Sequence, residues 1–126
     1  MTEPVARYPG RAPIEAYGNG GFRFAGMSHR GSILCLPAGI IAWSATDVSE
    51  ITPAFAAMLQ AKGLGTGTLL LGTGRMAAHP APDVAAALRS LGIWFEVMDT
   101  GAAARTFNVL LAEERDVSAA LIAVEG

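Results

Sequence analysis

Cysteine occurs once in the sequence, at Cys35, so no internal disulfide can form. With no second thiol and no clustered histidines, there is also no spacing suited to zinc. Cys35 sits in the apolar run GSILCLP with no cation beside it, the setting of a buried, inert thiol rather than a reactive one. Lysine is equally scarce: Lys62 is the only one, and it reads as a favourable cation in the last turn of a helix. Nine basic residues against eleven acidic ones leave a formal charge of -2, scattered along the chain. No basic stripe is available to displace counterions, which excludes a nucleic-acid or anionic-membrane footprint. Long hydrophobic runs are missing too. The most apolar one, 33–43, is broken by Pro37 and Gly39 and is too short to span a bilayer. The opening MTEPVARYPGRAP has no apolar segment after its arginines, so it is not a secretory signal, and a cytoplasmic location is expected.

What is present is core-forming material. Hydrophobic residues make up 52% of the chain and charged residues 16%, which excludes a disordered segment. A chain of 126 residues fits one domain that buries roughly two thirds of its unfolded surface. Residues 1–13, with three prolines and no periodicity, form an extended lead-in, and a single domain is expected over 14–126. FRFAG and GSILCLP read as two strands of a hairpin joined by the turn-rich MSHRG, and GIIAW (39–43) as a further strand. A first helix has Thr52 as N-cap and Pro53 as its first residue, with Phe55, Met58 and Leu59 at helical spacing before Gly63. TLLLG (68–72) is a short continuous apolar run of the kind buried on both faces of a parallel sheet. A second helix starts at Pro82 and Asp83, carries Val84, Leu88 and Leu91 on one face and ends at Gly92. IWFEV (93–97) completes a βαβ pattern, a third helix follows within DTGAAARTFNVLLAEER (99–115), and VSAALIAV (117–124) supplies a last buried strand.

The loop GTGRMA (72–77) formally fits the Gly-x-Gly-x-x-Gly/Ala dinucleotide pattern and follows a strand. That chemistry needs a helix to open at the glycines and aim its amides at a pyrophosphate. His79, Pro80, Ala81 and Pro82 intervene and delay the helix to about Pro82, so a tight glycine turn is the better reading. His29, in a polar turn, and His79, in a proline-flanked loop, read as surface histidines. G-x-S-x-G, H-E-x-x-H and a Walker lysine are all missing. On the third helix, Ala103, Phe107, Leu110 and Leu111 fall on one side, with Arg105, Asn108 and Ala112 roughly opposite. Asp99 or Thr100 caps its N-terminus, and Glu113 pairs with Arg115 or a neighbouring loop. If the strands before the glycine loop and before Asp99 are neighbours, then Gly72, Thr73, Gly74, Asp99, Thr100, Arg105 and Asn108 edge one polar cleft. Helix punctuation and solvated exterior account for most of the same residues.

The combination of GSIL with Pro37 and Trp43, LLLGTG, GIWFEVMDT, TFNVLLAEER and AALI resembles the small Mth938-like domain proteins. That family includes a mitochondrial complex I assembly factor and an adipogenesis-associated cytosolic relative. The resemblance covers nearly everything from Ile14 to Ile122. It implies a three-layer α/β fold with a mixed central β-sheet, packed helices and an additional N-terminal β element. Its family-type positions are Gly72, Thr73, Gly74, Asp99, Thr100, Thr106, Asn108, Glu113 and Arg115. Two departures stand out: relatives often have cysteine where this chain has Ala104, and glycine where it has Glu114. The expectation is a non-catalytic protein-interaction or assembly-factor-like domain with an unidentified protein partner and no cofactor, metal, nucleic acid or membrane insertion. The alternative is a small-ligand or anion-binding protein, conceivably an enzyme, that uses the cleft near Gly72, Asp99, Arg105 and Asn108, with a small anionic ligand as its partner.

Overall fold

The computed structural model describes residues 8–64 and 67–125. Residues 1–7 of the expected lead-in lie outside them. Residues 8–13 are tied to the body: the Tyr8 and Ile40 backbones exchange hydrogen bonds of 3.2 and 2.9 Å, and Arg11 pairs with Asp116 at 2.7 Å.

Among the described residues, eight strands and three α-helices follow in the order β1 (Ile14–Gly18), β2 (Gly21–Phe24), β3 (Met27–Arg30), β4 (Ser32–Leu36), β5 (Gly39–Trp43), α1 (Ala54–Ala61), β6 (Thr68–Gly72), α2 (Pro82–Ser90), β7 (Trp94–Met98), α3 (Thr100–Ala112) and β8 (Val117–Leu121). β1, β2 and β3 form an antiparallel sheet of their own. The other five make a mixed sheet in the order β5-β4-β8-β6-β7, in which β6 runs parallel to both neighbours and the β4 pairings are antiparallel. β6, α2 and β7 realise the expected βαβ unit.

The hairpin expected between FRFAG and GSILCLP is replaced by two tighter ones. Asn19–Gly20 and Ala25–Gly26 each close a two-residue turn with positive φ at both positions, the geometry whose twist suits a hairpin. MSHR is therefore a strand, β3, whose Met27 and His29 point half inward and Ser28 and Arg30 outward. After Gly31 the chain enters the other sheet, so β2 and β4 do not pair. Two helix details also differ from expectation. α1 starts at Ala54 with Pro53, not Thr52, at the cap position. Leu91 lies just past the end of α2 and is exposed, because the helix closes at Ser90.

Strand alternation divides the core in two. Leu34, Leu36, Leu69, Leu71 and Ala120 face α1 and α2, meeting Phe55, Leu59, Val84 and Leu88. Ile33, Cys35, Leu70, Ala119 and Leu121 face the other way, toward Ala103, Ala104 and Phe107 of α3 and Phe22 and Phe24 of the small sheet. The result is three layers: two helices, the mixed sheet, and α3 with the small sheet. Cys35 is buried, and burial pushes its thiol pKa up, as its inert reading requires.

Candidate functional site

Parallel strands β8, β6 and β7 end together, at the position where α/β sheets hold ligands. The chain leaves β6 through Gly72, Thr73 and Gly74, and leaves β7 through Asp99 into α3. The Asp99 carboxylate accepts a 2.9 Å hydrogen bond from the Ala102 amide, satisfying one free donor of the helix start. Thr100, fully buried, is the joint. Its amide donates to the Gly74 carbonyl (2.8 Å). Its hydroxyl accepts from the Gly74 amide (2.9 Å) and donates to the Ile122 carbonyl (2.6 Å). A β-carbon at Gly72 would lie 3.0 Å from Leu121 Cδ2 and 3.1 Å from Thr100 Cα and Ala103 Cβ, tighter than ordinary contact, so glycine suits the close approach of α3 to the strand end.

Thr73 finishes the closure. Its hydroxyl accepts from the Ala78 amide (2.8 Å) and lies 3.0 Å from the Met76 carbonyl, while its amide donates to the Met98 carbonyl (3.0 Å). The Gly74 amide that would face a pyrophosphate is thus bonded to Thr100, and the next helix opens only at Pro82. Gly72, Thr73, Gly74, Asp99 and Thr100 come together as one internally bonded junction.

The remaining four residues stand elsewhere. Asn108 uses both ends of its amide on one residue of β1: Oδ1 accepts from the Ile14 amide and Nδ2 donates to the Ile14 carbonyl, both at 2.8 Å. Arg105 is exposed, with its guanidinium 3.4 Å from the Tyr17 hydroxyl. Glu113 caps the C-terminus of α3 and Arg115 follows, both exposed. Among the described residues the ion pairs are Arg11–Asp116 and Arg23–Glu15, so the expected Glu113–Arg115 pair is not formed.

Beside the junction lies an open cavity of about 370 Å³ whose charged lining, Asp47, Arg75 and Glu125, was not singled out in the sequence. Arg75 is a variable position of the GTGRMA loop and Glu125 a single charge after β8, so no motif marks either charge. Hydrogen bonds from the Ser49 hydroxyl and amide hold the Asp47 carboxyl below its usual range, and bonds from Thr46 do the same for Glu50. His79 is exposed as expected, whereas His29 is half-buried on β3 and its buried Nε2 has no hydrogen-bond partner among the described residues. Among the described residues no group of three His, Cys, Asp or Glu side chains could hold a metal, and no helix is long and apolar enough to cross a membrane.

Known proteins share this architecture. Over 119 residues the chain is 37% identical to an uncharacterized protein of Rhodobacter capsulatus, covering 94% of this chain and 90% of that one. It is 31% identical over 121 residues to NADH dehydrogenase (ubiquinone) 1 alpha subcomplex assembly factor 3 of Mus musculus, spanning 96% of this chain but 65% of that longer protein. A crystal structure described as an outer membrane protein from Bartonella henselae superposes with a TM-score of 0.84 at 48% identity, covering 94% and 99% of the two chains. A solution structure from Bordetella pertussis, described as a Mth938-like domain, gives 0.73 at 28% identity over 98% and 90%. The model of a family described as protein of unknown function (DUF498/DUF598) matches residues 14–122. With the three-layer fold and the glycine-loop junction in place, the chain belongs to the DUF498/DUF598 family, with the fold of a Mth938-like domain.

Proposed function

We propose that this chain is a non-catalytic, assembly-factor-like interaction domain of the cytoplasm, formed by residues 14–126, that holds a protein partner. The observation that carries the reading is its 31% identity, across 96% of its own length, to a protein named as an assembly factor of NADH dehydrogenase. Two features of the surface support it. The junction residues spend their polar groups on one another and on the backbone of Ile122 and Ala102. Large apolar side chains meanwhile face solvent: Met76 is 78% exposed, Trp94 68% and Val109 57%. Exposed aromatic and methionine side chains are the anchors that protein interfaces bury.

The test is quantitative capture of the tagged, full-length protein from the cells that make it, after brief crosslinking. One partner should be recovered reproducibly. Trp94→Ala should lower its recovery sharply, since loss of a central aromatic anchor costs about 2 kcal/mol or more, roughly thirtyfold in affinity. Recovery of background proteins alone, from cells in which the chain is expressed at its normal level, overturns the interaction reading.

A further inference from the structure

We propose that a cavity at the tip of the β4–β5 hairpin binds the alkyl tail of a short single-chain carboxylate, with Lys62 meeting its head group. This site lies at the opposite end of the sheet from the glycine loop and does not depend on the interaction reading: Leu36 pairs with Gly39 at the hairpin tip, whereas Gly72 pairs with Leu121 at the far end.

The cavity is open, measures about 420 Å³ and is lined by Leu36, Ile40, Ile41, Tyr8, Pro9 and Lys62. That volume falls in the range of about 300–1,000 Å³ occupied by small-molecule sites, which are mostly apolar with a few placed polar groups. One wall is the Tyr8 backbone, held by its two bonds to Ile40. A side chain at Gly39 would collide with the Tyr8 carbonyl oxygen, so the wall depends on glycine there.

Charge selects the ligand. Lys62 is the chain's only lysine, it ends α1, and among the described residues it forms no ion pair. A mostly apolar cavity whose one charged lining residue is a lysine suits an apolar tail carrying one negative charge. A carboxylate fits better than a phosphate ester, because one compact cation matches one charge and no guanidinium fork lines the cavity to take a second. The volume suits one short chain, not the paired chains of a phospholipid.

The experiment is an amide chemical-shift titration of the full chain with hexanoate, octanoate, octanol and octyl phosphate. Saturable shifts should centre on Tyr8, Ile40, Ile41 and Lys62. Each added methylene between hexanoate and octanoate should lower Kd about three- to fourfold. Lys62→Gln should weaken octanoate about two- to fivefold and leave octanol unchanged. Ala38→Phe, placed on an exposed lining residue, should block both. Absence of saturable shifts at the hairpin, no dependence on chain length, or equal weakening of octanoate and octanol by Lys62→Gln overturns the site. Tighter binding of octyl phosphate than of octanoate overturns the carboxylate assignment.

Discussion

Glu114 is a helix-favouring residue held where helices end. Its φ is +60°, in the left-handed region, and it closes α3 in a Schellman motif: the Glu114 amide donates to Leu111 and the Arg115 amide to Leu110, both at 3.0 Å. A β-carbon in that conformation costs about 1–2 kcal/mol, which glycine avoids. Glu114→Gly should therefore stabilise the chain by about 0.5–1 kcal/mol, after allowing for the larger unfolded-state entropy of glycine. Glu114→Ala, which keeps the β-carbon, should not reproduce the gain. Urea unfolding of the three proteins measures this, and equal midpoints for the Gly and Ala variants would refute the backbone argument. At this scale the sequence is half legible. Asp99 announces its cap because its side chain has one good use before a helix, but nothing in Glu-Glu-Arg signals which residue bears the positive φ. Charge alone suggests a Glu113–Arg115 pair, which is not formed among the described residues.

At the scale of elements, α3 is the part that holds the two sheets in place. Its apolar side follows from the 3.6-residue period and is buried as expected at Ala103 and Phe107. Asn108, opposite that stripe, looks solvated from periodicity, yet β1 lies along that side of the helix and Ile14 takes both its amide groups. The helical angle fixes a side chain's direction but not what a distant strand will bring to it. Asn108→Ala should cost about 1–3 kcal/mol, since it leaves the part-buried Ile14 N–H and C=O without partners. Asn108→Asp should lie between, keeping an acceptor for the Ile14 amide but losing the donor. Hydrogen exchange should show the Ile14 amide and its β1–β2 neighbours opening before the five-stranded sheet does. Unchanged exchange at Ile14 in Asn108→Ala would mean that the bidentate bond carries no load. The small sheet itself was only partly readable. The Asn19–Gly20 turn escapes the sequence reading, although that dipeptide favours the positive φ it adopts, and MSHR has too polar a face to register as a strand until its neighbours show that half of it lies against the core. TLLLG, by contrast, is apolar throughout, and a run buried on both faces has few other places to go.

The whole molecule has two cores separated by one sheet, and this decides how it should unfold. Leu70 belongs to the core under α3, and its neighbour Leu71 to the core under α1 and α2; both are essentially fully buried. The glycine-loop junction fastens β6, β7, α3 and the segment after β8 at one end of that sheet, and Arg11–Asp116 ties the segment before β1 near the other. A strand that serves both cores cannot lose one without loosening the other. Residues 14–126 should therefore unfold as one cooperative unit rather than as two halves. Leu70→Ala, a cavity on the α3 side, should cost about 2–5 kcal/mol. The informative readout is on the opposite side, where Trp43 stacks on Phe55 with ring centroids 5.3 Å apart. If the sheet couples the cores, Leu70→Ala shifts the urea midpoint read from the Trp43 environment as far as the midpoint read from far-UV circular dichroism, and Leu71→Ala does the same. Trp94 is 68% exposed, so its fluorescence changes less on unfolding; Trp94→Phe removes its contribution without opening a core cavity. A Trp43 transition left in place while the circular dichroism shifts would show two units that merely share a strand, and would confine the consequences of the glycine-loop junction to the α3 face.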